Sequence, residues 1–125
     1  MTDPAVELAV GVGFRPGTPA ETLVTAIRAA LGTARIHCLA TIDRRAADPQ
    51  FLAAAHELAV ATVAFTAAEL DRIPVPTPAA RTVASVGTPS VAEAAALAAA
   101  GSAELLFAKR VIRGVTIAAA PVRPA

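Results

Sequence analysis

The feature that most restricts this chain is a phrase repeated three times in its first half: a short apolar run, a break, and a helix-start signal. Val6 to Val12 is apolar except for Glu7 and leads into Gly13 and a loop. Thr18-Pro19-Ala20-Glu21 then opens a helix, with Thr18 as the cap, Pro19 at the first helical position and Glu21 closing a capping box. Leu23, Ile27, Ala30 and Leu31 form its buried stripe, and Gly32 stops it. Ile36 to Ile42 reads as the second strand, and Asp48-Pro49 starts a helix with Phe51, Ala55, Leu58 and Ala59 on one face. Val60 to Phe65 is the third strand, followed by a second capping box, Thr66-Ala67-Ala68-Glu69, and a helix to about Asp71. Strand–helix units in succession predict a parallel sheet with helices packed on its faces.

The second half ends differently. Pro74, Pro76 and Pro78 punctuate an extended connection, with a short helix expected from Thr77-Pro78 through Ser85. Ser90 and Glu93 have capping-box spacing ahead of an Ala-rich helix that ends at Gly101. Leu105-Leu106-Phe107 and Val115 to Ala119 read as two more strands. Gly114 and basic residues between them suggest a hairpin at the sheet edge, and Pro121 to Ala125 is expected to fray. The expected fold is a three-layer α/β/α sandwich. Its mostly parallel central sheet has about five strands and a C-terminal hairpin, and one domain spans residues 1–125.

Composition narrows the partners. The chain is 55% hydrophobic but only 3% aromatic, so the core must be filled by aliphatic side chains and Ala. Ala favours helix and lets a helix lie close to a sheet. A net charge of +1 gives no global field to attract nucleic acid or an acidic membrane. No apolar run approaches the ~18 residues of a membrane span, and the N-terminus has no basic leader, so the cytoplasm is expected. Cys38 is the only cysteine, which excludes an intrachain disulfide, and its mid-strand position suits a core thiol. His37 and His56 lie on different elements without ligand spacing, so no metal and no cofactor are assigned.

In open parallel sheets, ligands bind outside the carboxyl ends of the strands, at helix N-termini. That rule selects Gly13 to Thr18, Thr41 to Arg45, Gly87 to Ser90, and Lys109. The Gly11-Val12-Gly13-Phe14-Arg15-Pro16-Gly17 segment is a poor dinucleotide loop, because its third glycine falls one residue late and Pro16 removes a donor. A glycine-permitted turn is the plainer reading. Arg15 suits bidentate binding of a carboxylate, or is a solvated charge. Thr41 and Asp43 place a hydroxyl and a carboxylate at a strand end. Asp43 serves there as a base, as a ligand-orienting group, in an ion pair with Arg44 or Arg45, or as a turn cap. Gly87, Thr88 and Ser90 offer backbone N–H groups and hydroxyls at a helix start, for an anion or for capping alone. No Ser-His-Asp order stands out.

Several of these segments carry a family likeness. Gly11 to Thr18 resembles the opening segment of the CobE/CbiG C-terminal family of cobalamin biosynthesis. Ala40-Thr41-Ile42-Asp43-Arg44-Arg45 resembles its ATID segment, with Arg45 where Lys is more usual. Val75-Pro76-Thr77-Pro78 resembles its proline-rich link, and Val86 to Ala94 its most specific motif. Ala108-Lys109 with Val115 to Ala118 resembles its closing hairpin. The resemblance covers nearly the whole chain in order and suggests the stand-alone form of the family. It implies a tetrapyrrole (precorrin) intermediate as partner, together with other cobalamin-pathway enzymes. It points to an accessory or carrier role, the alternative being a hydrolase that opens the ring-A lactone of a precorrin-5-type intermediate and releases acetaldehyde. In the carrier reading Gly13, Arg15, Thr41, Asp43, Arg45, Gly87, Thr88, Ser90 and Lys109 meet the carboxylates of the ligand. In the hydrolase reading Asp43 is the general base, with Lys109 or the Ser90 helix end stabilising an oxyanion. A purely structural interaction domain is the third reading.

Overall fold

Leu8 to Val12 are buried without a break, so this strand needs cover on both faces. The computed structural model, which describes residues 7–73, 91–102 and 104–122, supplies that cover. The strand β1 (Leu8–Gly13) lies at the centre of one sheet with β2 (Ile36–Ile42), β3 (Ala61–Phe65), β4 (Phe107–Ile112) and β5 (Val115–Pro121), in the order β3-β2-β1-β5-β4. The pairs β1–β2 and β2–β3 are parallel, while β5 is antiparallel to both of its neighbours. Four strands therefore point one way and β5 alone runs against them. The sheet is mixed, and the expected C-terminal hairpin is what makes it so.

The helices α1 (Ala20–Leu31) and α3 (Pro49–Leu58) cover one face; α4 (Ala67–Asp71) and α5 (Val91–Ala100) cover the other. A four-residue helix, α2 (Asp43–Ala46), follows directly on β2. The α1/α3 face is built from Leu, Val, Ile and Phe, including Val10, Val12, Leu23, Ile27, Phe51 and Ile117. Under α5 the other face is built mainly from small residues, Ala9, Cys38, Ala92, Ala96, Ala118 and Ala120, with Leu97 among them and Ile42 and Leu70 beside them toward α4. Small side chains let α5 sit almost on the sheet. A Cβ on Gly11 would overlap the Ala92 carbonyl and stand 2.9 Å from the Ala96 amide nitrogen. Gly11 is thus required by a close approach of backbones.

Several local signals read from the sequence hold in detail. Asp48 caps α3, its carboxylate accepting from the Gln50 amide at 2.8 Å, with Pro49 opening the helix. Thr66 and Glu69 form the reciprocal capping box of α4. Other signals are overridden. The first helix begins at Ala20, after Pro19 and without a side-chain cap of its own. Thr18 donates its hydroxyl to the Arg15 carbonyl (2.7 Å), closing a turn, and the Ala20 amide is taken by the Gln50 side chain at 2.8 Å. The cap of α1 is therefore supplied by α3, a tertiary contact that local spacing cannot reveal. Ala59, expected on the buried face, is an exposed left-handed C-cap with φ 60°. Leu105 and Leu106 precede the strand they were expected to form, because β4 runs from Phe107 through the charged Lys109 and Arg110. Pro121 and Val122 do not fray: β5 extends to Pro121, and the Val122 amide bonds the Glu7 carbonyl at 2.9 Å. The proline-rich link and the expected 77–85 helix lie outside the described residues.

Candidate functional site

Two of the glycines in the Gly11–Gly17 segment belong to β1, so this segment is not a phosphate-cradling loop. The chain turns only at Arg15-Pro16-Gly17-Thr18. The Arg15 carbonyl accepts from the Thr18 amide at 3.2 Å, and Gly17 has the positive φ (87°) that its place in the turn requires. Two contacts fix the loop. Phe14 stacks on Phe51 of α3 with ring centroids 5.6 Å apart, and the Arg45 Nε donates to the Phe14 carbonyl at 3.1 Å. One strand over, the wholly buried Thr41 donates its hydroxyl to the Val12 carbonyl at 2.7 Å. The carboxyl ends of β1 and β2 are therefore locked together by two side chains of the Thr41–Arg45 segment.

Above this floor lies a cleft of about 290 Å³. Its walls are the β1–α1 loop with Phe14 and Arg15, the start of α2 with Arg44 and Arg45, the first turn of α5 at Val91 and Ala92, and the hairpin at Gly114 and Thr116. Gly13 and Thr41 complete the floor. No Asp or Glu is among the described lining residues, whereas three of them are arginines. The guanidiniums of Arg15 and Arg44 make no hydrogen bond or ion pair among the described residues, and Arg45 uses only its Nε. This is a small, half-apolar hollow with cations held around it, suited to an apolar body carrying carboxylates.

Gly13, Arg15, Thr41 and Arg45 are thus brought together at the strand ends. Asp43 is next to them in sequence but is exposed on α2 and does not line the cleft. Gly87, Thr88 and Ser90 lie outside the described residues, immediately before the cleft-lining Val91. Lys109 is not at a strand end. Its level in the sheet is set by a bulge, since Phe107 pairs with Ala119 but Arg110 with Ile117, leaving one extra residue on β4. The Lys109 amide turns away from β5 and donates to the Glu93 carboxylate of α5 at 3.0 Å. Glu93 is fully buried. The carboxylate expected in a capping box with Ser90, which lies outside the described residues, ties α5 to the edge strand. Arg44 falls inside the Thr41–Arg45 stretch that strand-end reasoning selects, but it is read there only as a partner for Asp43, although its place two residues after β2 is the signal.

At the opposite end of the sheet a hollow of about 350 Å³ has Glu7, Arg28 and Arg35 in its walls, a mixed charge in place of a single sign. Nearby, His37 and Glu7 pair at 2.9 Å. Cys38 is buried on the α5 face, and burial pushes its thiol pKa up, as befits a packing residue. No group of His, Cys, Asp and Glu among the described residues has the arrangement of a metal site. No helix among them is long and apolar enough to cross a membrane.

Fold and cleft together define a small α/β protein with a mixed five-stranded sheet and a strand-end cleft lined by arginines. The family model described as "Cobalamin synthesis G C-terminus" matches residues 8–120, and the chain belongs to that family. It is 32% identical over 119 residues to Protein CobE of a Sinorhizobium species, covering 90% of this chain and 77% of that one. A crystal structure of CobE, from the cobalamin (vitamin B12) biosynthetic pathway, superposes with a TM-score of 0.76 at 32% identity, covering 95% of this chain and 92% of that one. Cobalamin biosynthesis protein chiG of Agrobacterium tumefaciens superposes at 0.67 with 26% identity, over 94% and 99% of the two chains. The fold also recurs in a cobalamin biosynthesis protein G homolog of Sulfolobus solfataricus, at 0.73 and 22% identity, where it spans 37% of the longer chain. This chain is a CobE-like protein of cobalamin biosynthesis.

Proposed function

We propose that the protein binds a precorrin or corrin-ring intermediate in the cytoplasm as an accessory or carrier, gripping one edge of the macrocycle in the strand-end cleft. The observation that carries this reading is the lining itself: Arg15, Arg44 and Arg45 around a half-apolar hollow floored by Gly13 and Thr41, with no acidic residue among the described lining residues. Precorrins carry acetate and propionate groups around an apolar ring, and guanidinium forks pair with carboxylates bidentately. The volume of about 290 Å³ is at the lower end for a small-molecule pocket, so it admits an edge and leaves the rest of the ring outside. That openness suits a protein that passes its ligand on.

Hydrolysis of the macrocycle is less well supported. Asp43, the candidate base, stands exposed and outside the cleft lining. The test is a titration of the purified protein with precorrin intermediates, following the absorption spectrum and the ligand mass together. Binding is expected to shift the spectrum at constant mass, and Arg15→Ala and Arg45→Ala are each expected to weaken it about tenfold. A mass change abolished by Asp43→Asn would replace the carrier reading with the enzymatic one. Unchanged binding in both arginine variants would remove the cleft from the function.

A further inference from the structure

The hairpin that closes the sheet makes the tightest possible connection, a two-residue loop, Arg113-Gly114, between the paired Ile112 and Val115. Both loop residues have positive φ, 53° and 79°, as a type I′ turn demands. Gly accepts that conformation freely, and Asn or Asp is the usual choice for the position Arg113 holds. Arginine is an expensive residue there. Only two non-glycine residues among those described have positive φ, and the other, Ala59, ends a helix far from the cleft. Arg113 is exposed and makes no hydrogen bond, ion pair or ring contact among the described residues, so none of them repays its backbone strain. Its neighbour Gly114 lines the cleft. Observed strain without a structural return is a pointer to function.

Building on the binding reading above, we infer that Arg113 is a further carboxylate-binding residue of the cleft, placed on the rim opposite Arg44 and Arg45. The strand order fixes its reach. Arg44 and Arg45 follow β2, whereas Arg113 links β4 to β5, on the far side of β1. With strands ~4.8 Å apart, the backbones that carry the two sets of guanidiniums are separated by roughly 10–15 Å across the carboxyl edge. A small tricarboxylate is shorter than that span and does not bridge it unless the side chains converge. A tetrapyrrole, whose carboxylates are distributed around a wide ring, can. The cleft therefore selects its ligand by the spacing of its carboxylates as well as by their charge.

The experiment uses uroporphyrin, a tetrapyrrole octacarboxylate, and citrate, a small tricarboxylate, as probes of the full chain at moderate ionic strength. Arg113→Asn is expected to weaken uroporphyrin binding roughly fivefold to tenfold. Weak citrate binding should stay as in the parent chain, and the melting temperature should be unchanged or raised, because Asn-Gly suits the turn better. Arg113→Lys should retain most of the uroporphyrin affinity. Opposite signs in affinity and stability separate a ligand-binding role from a structural one. Uroporphyrin binding by Arg113→Asn equal to the parent, with Arg15→Ala weakened, would overturn this inference and leave the carrier reading standing. Equal losses for citrate and uroporphyrin would also overturn it, since spacing would then play no part. A parent chain that binds no tetrapyrrole polycarboxylate would overturn both.

Discussion

The two faces of the sheet solve the same burial problem in opposite ways. On the α1/α3 side, large aliphatic side chains and the Phe14–Phe51 stack fill the space between helix and strand, and the helices stand off at the distance those side chains set. On the α5 side, Ala meets Ala and Gly11, and the helix backbone comes down onto the sheet. The first face holds the fold by volume and is sensitive to what is removed. The second holds it by proximity and is sensitive to what is added. The difference has a functional consequence, because the close-packed helix delivers its first turn, Val91 and Ala92, to the cleft. The same approach lets the buried carboxylate of Glu93 reach the bulged edge strand.

The sharpest way to break this contrast is to add one group to the close face. Gly11→Val should be the most damaging substitution among the described residues, because its Cβ meets the Ala92 carbonyl, which is backbone and has no rotamer to change. The cost should exceed the ~1–3 kcal/mol usual for overpacking, and the expected result is loss of cooperative thermal unfolding by circular dichroism. A variant that melts like the parent would show that α5 can lift off the sheet freely. On the other face the damaging change is a deletion. Phe51→Ala leaves a cavity under Phe14 and should cost about 3–5 kcal/mol in urea unfolding. It should also weaken ligand binding by loosening the loop that carries Arg15, a coupling the Gly11 test cannot show. The smallest effect comes from the tie between α5 and β4. Glu93→Ala leaves the Lys109 amide without this acceptor and should cost about 1–3 kcal/mol, whereas Glu93→Gln, which keeps an acceptor oxygen, should recover most of it. Hydrogen exchange at Lys109 reports the effect directly: fast exchange in the alanine variant alone is the expected pattern.

Much of the fold was legible in the chain because it is written in local physics. The bounds of β2 at Ile36 and Ile42 follow from an apolar run, and Asp48-Pro49 and Thr66–Glu69 act through atoms a few residues apart. Strand-end reasoning also selected Gly13, Arg15, Thr41 and Arg45, all of which line the cleft, since it needs only the order of strands and helices. The misses share one cause. The α1 cap, Leu106 and Lys109 were assigned from sequence neighbours, but the groups that meet them lie far along the chain. Gln50 caps α1 across 30 residues, and Glu93 takes the Lys109 amide across 16.

By itself, then, the sequence determined that strands and helices alternate, that Ala and aliphatic residues fill the core, and which loops lie at the strand ends. Periodicity, capping and turn chemistry are short-range and can be read one segment at a time. Only the tertiary structure decided that β5 enters between β1 and β4, that Gly11 is demanded by a helix backbone, and that Asp43 stands outside the cleft. It also set the Arg113-Gly114 turn on the far side of β1 from Arg44 and Arg45. Those outcomes depend on which surfaces meet after the chain has closed on itself, and a distance through space is not encoded in any one stretch of residues.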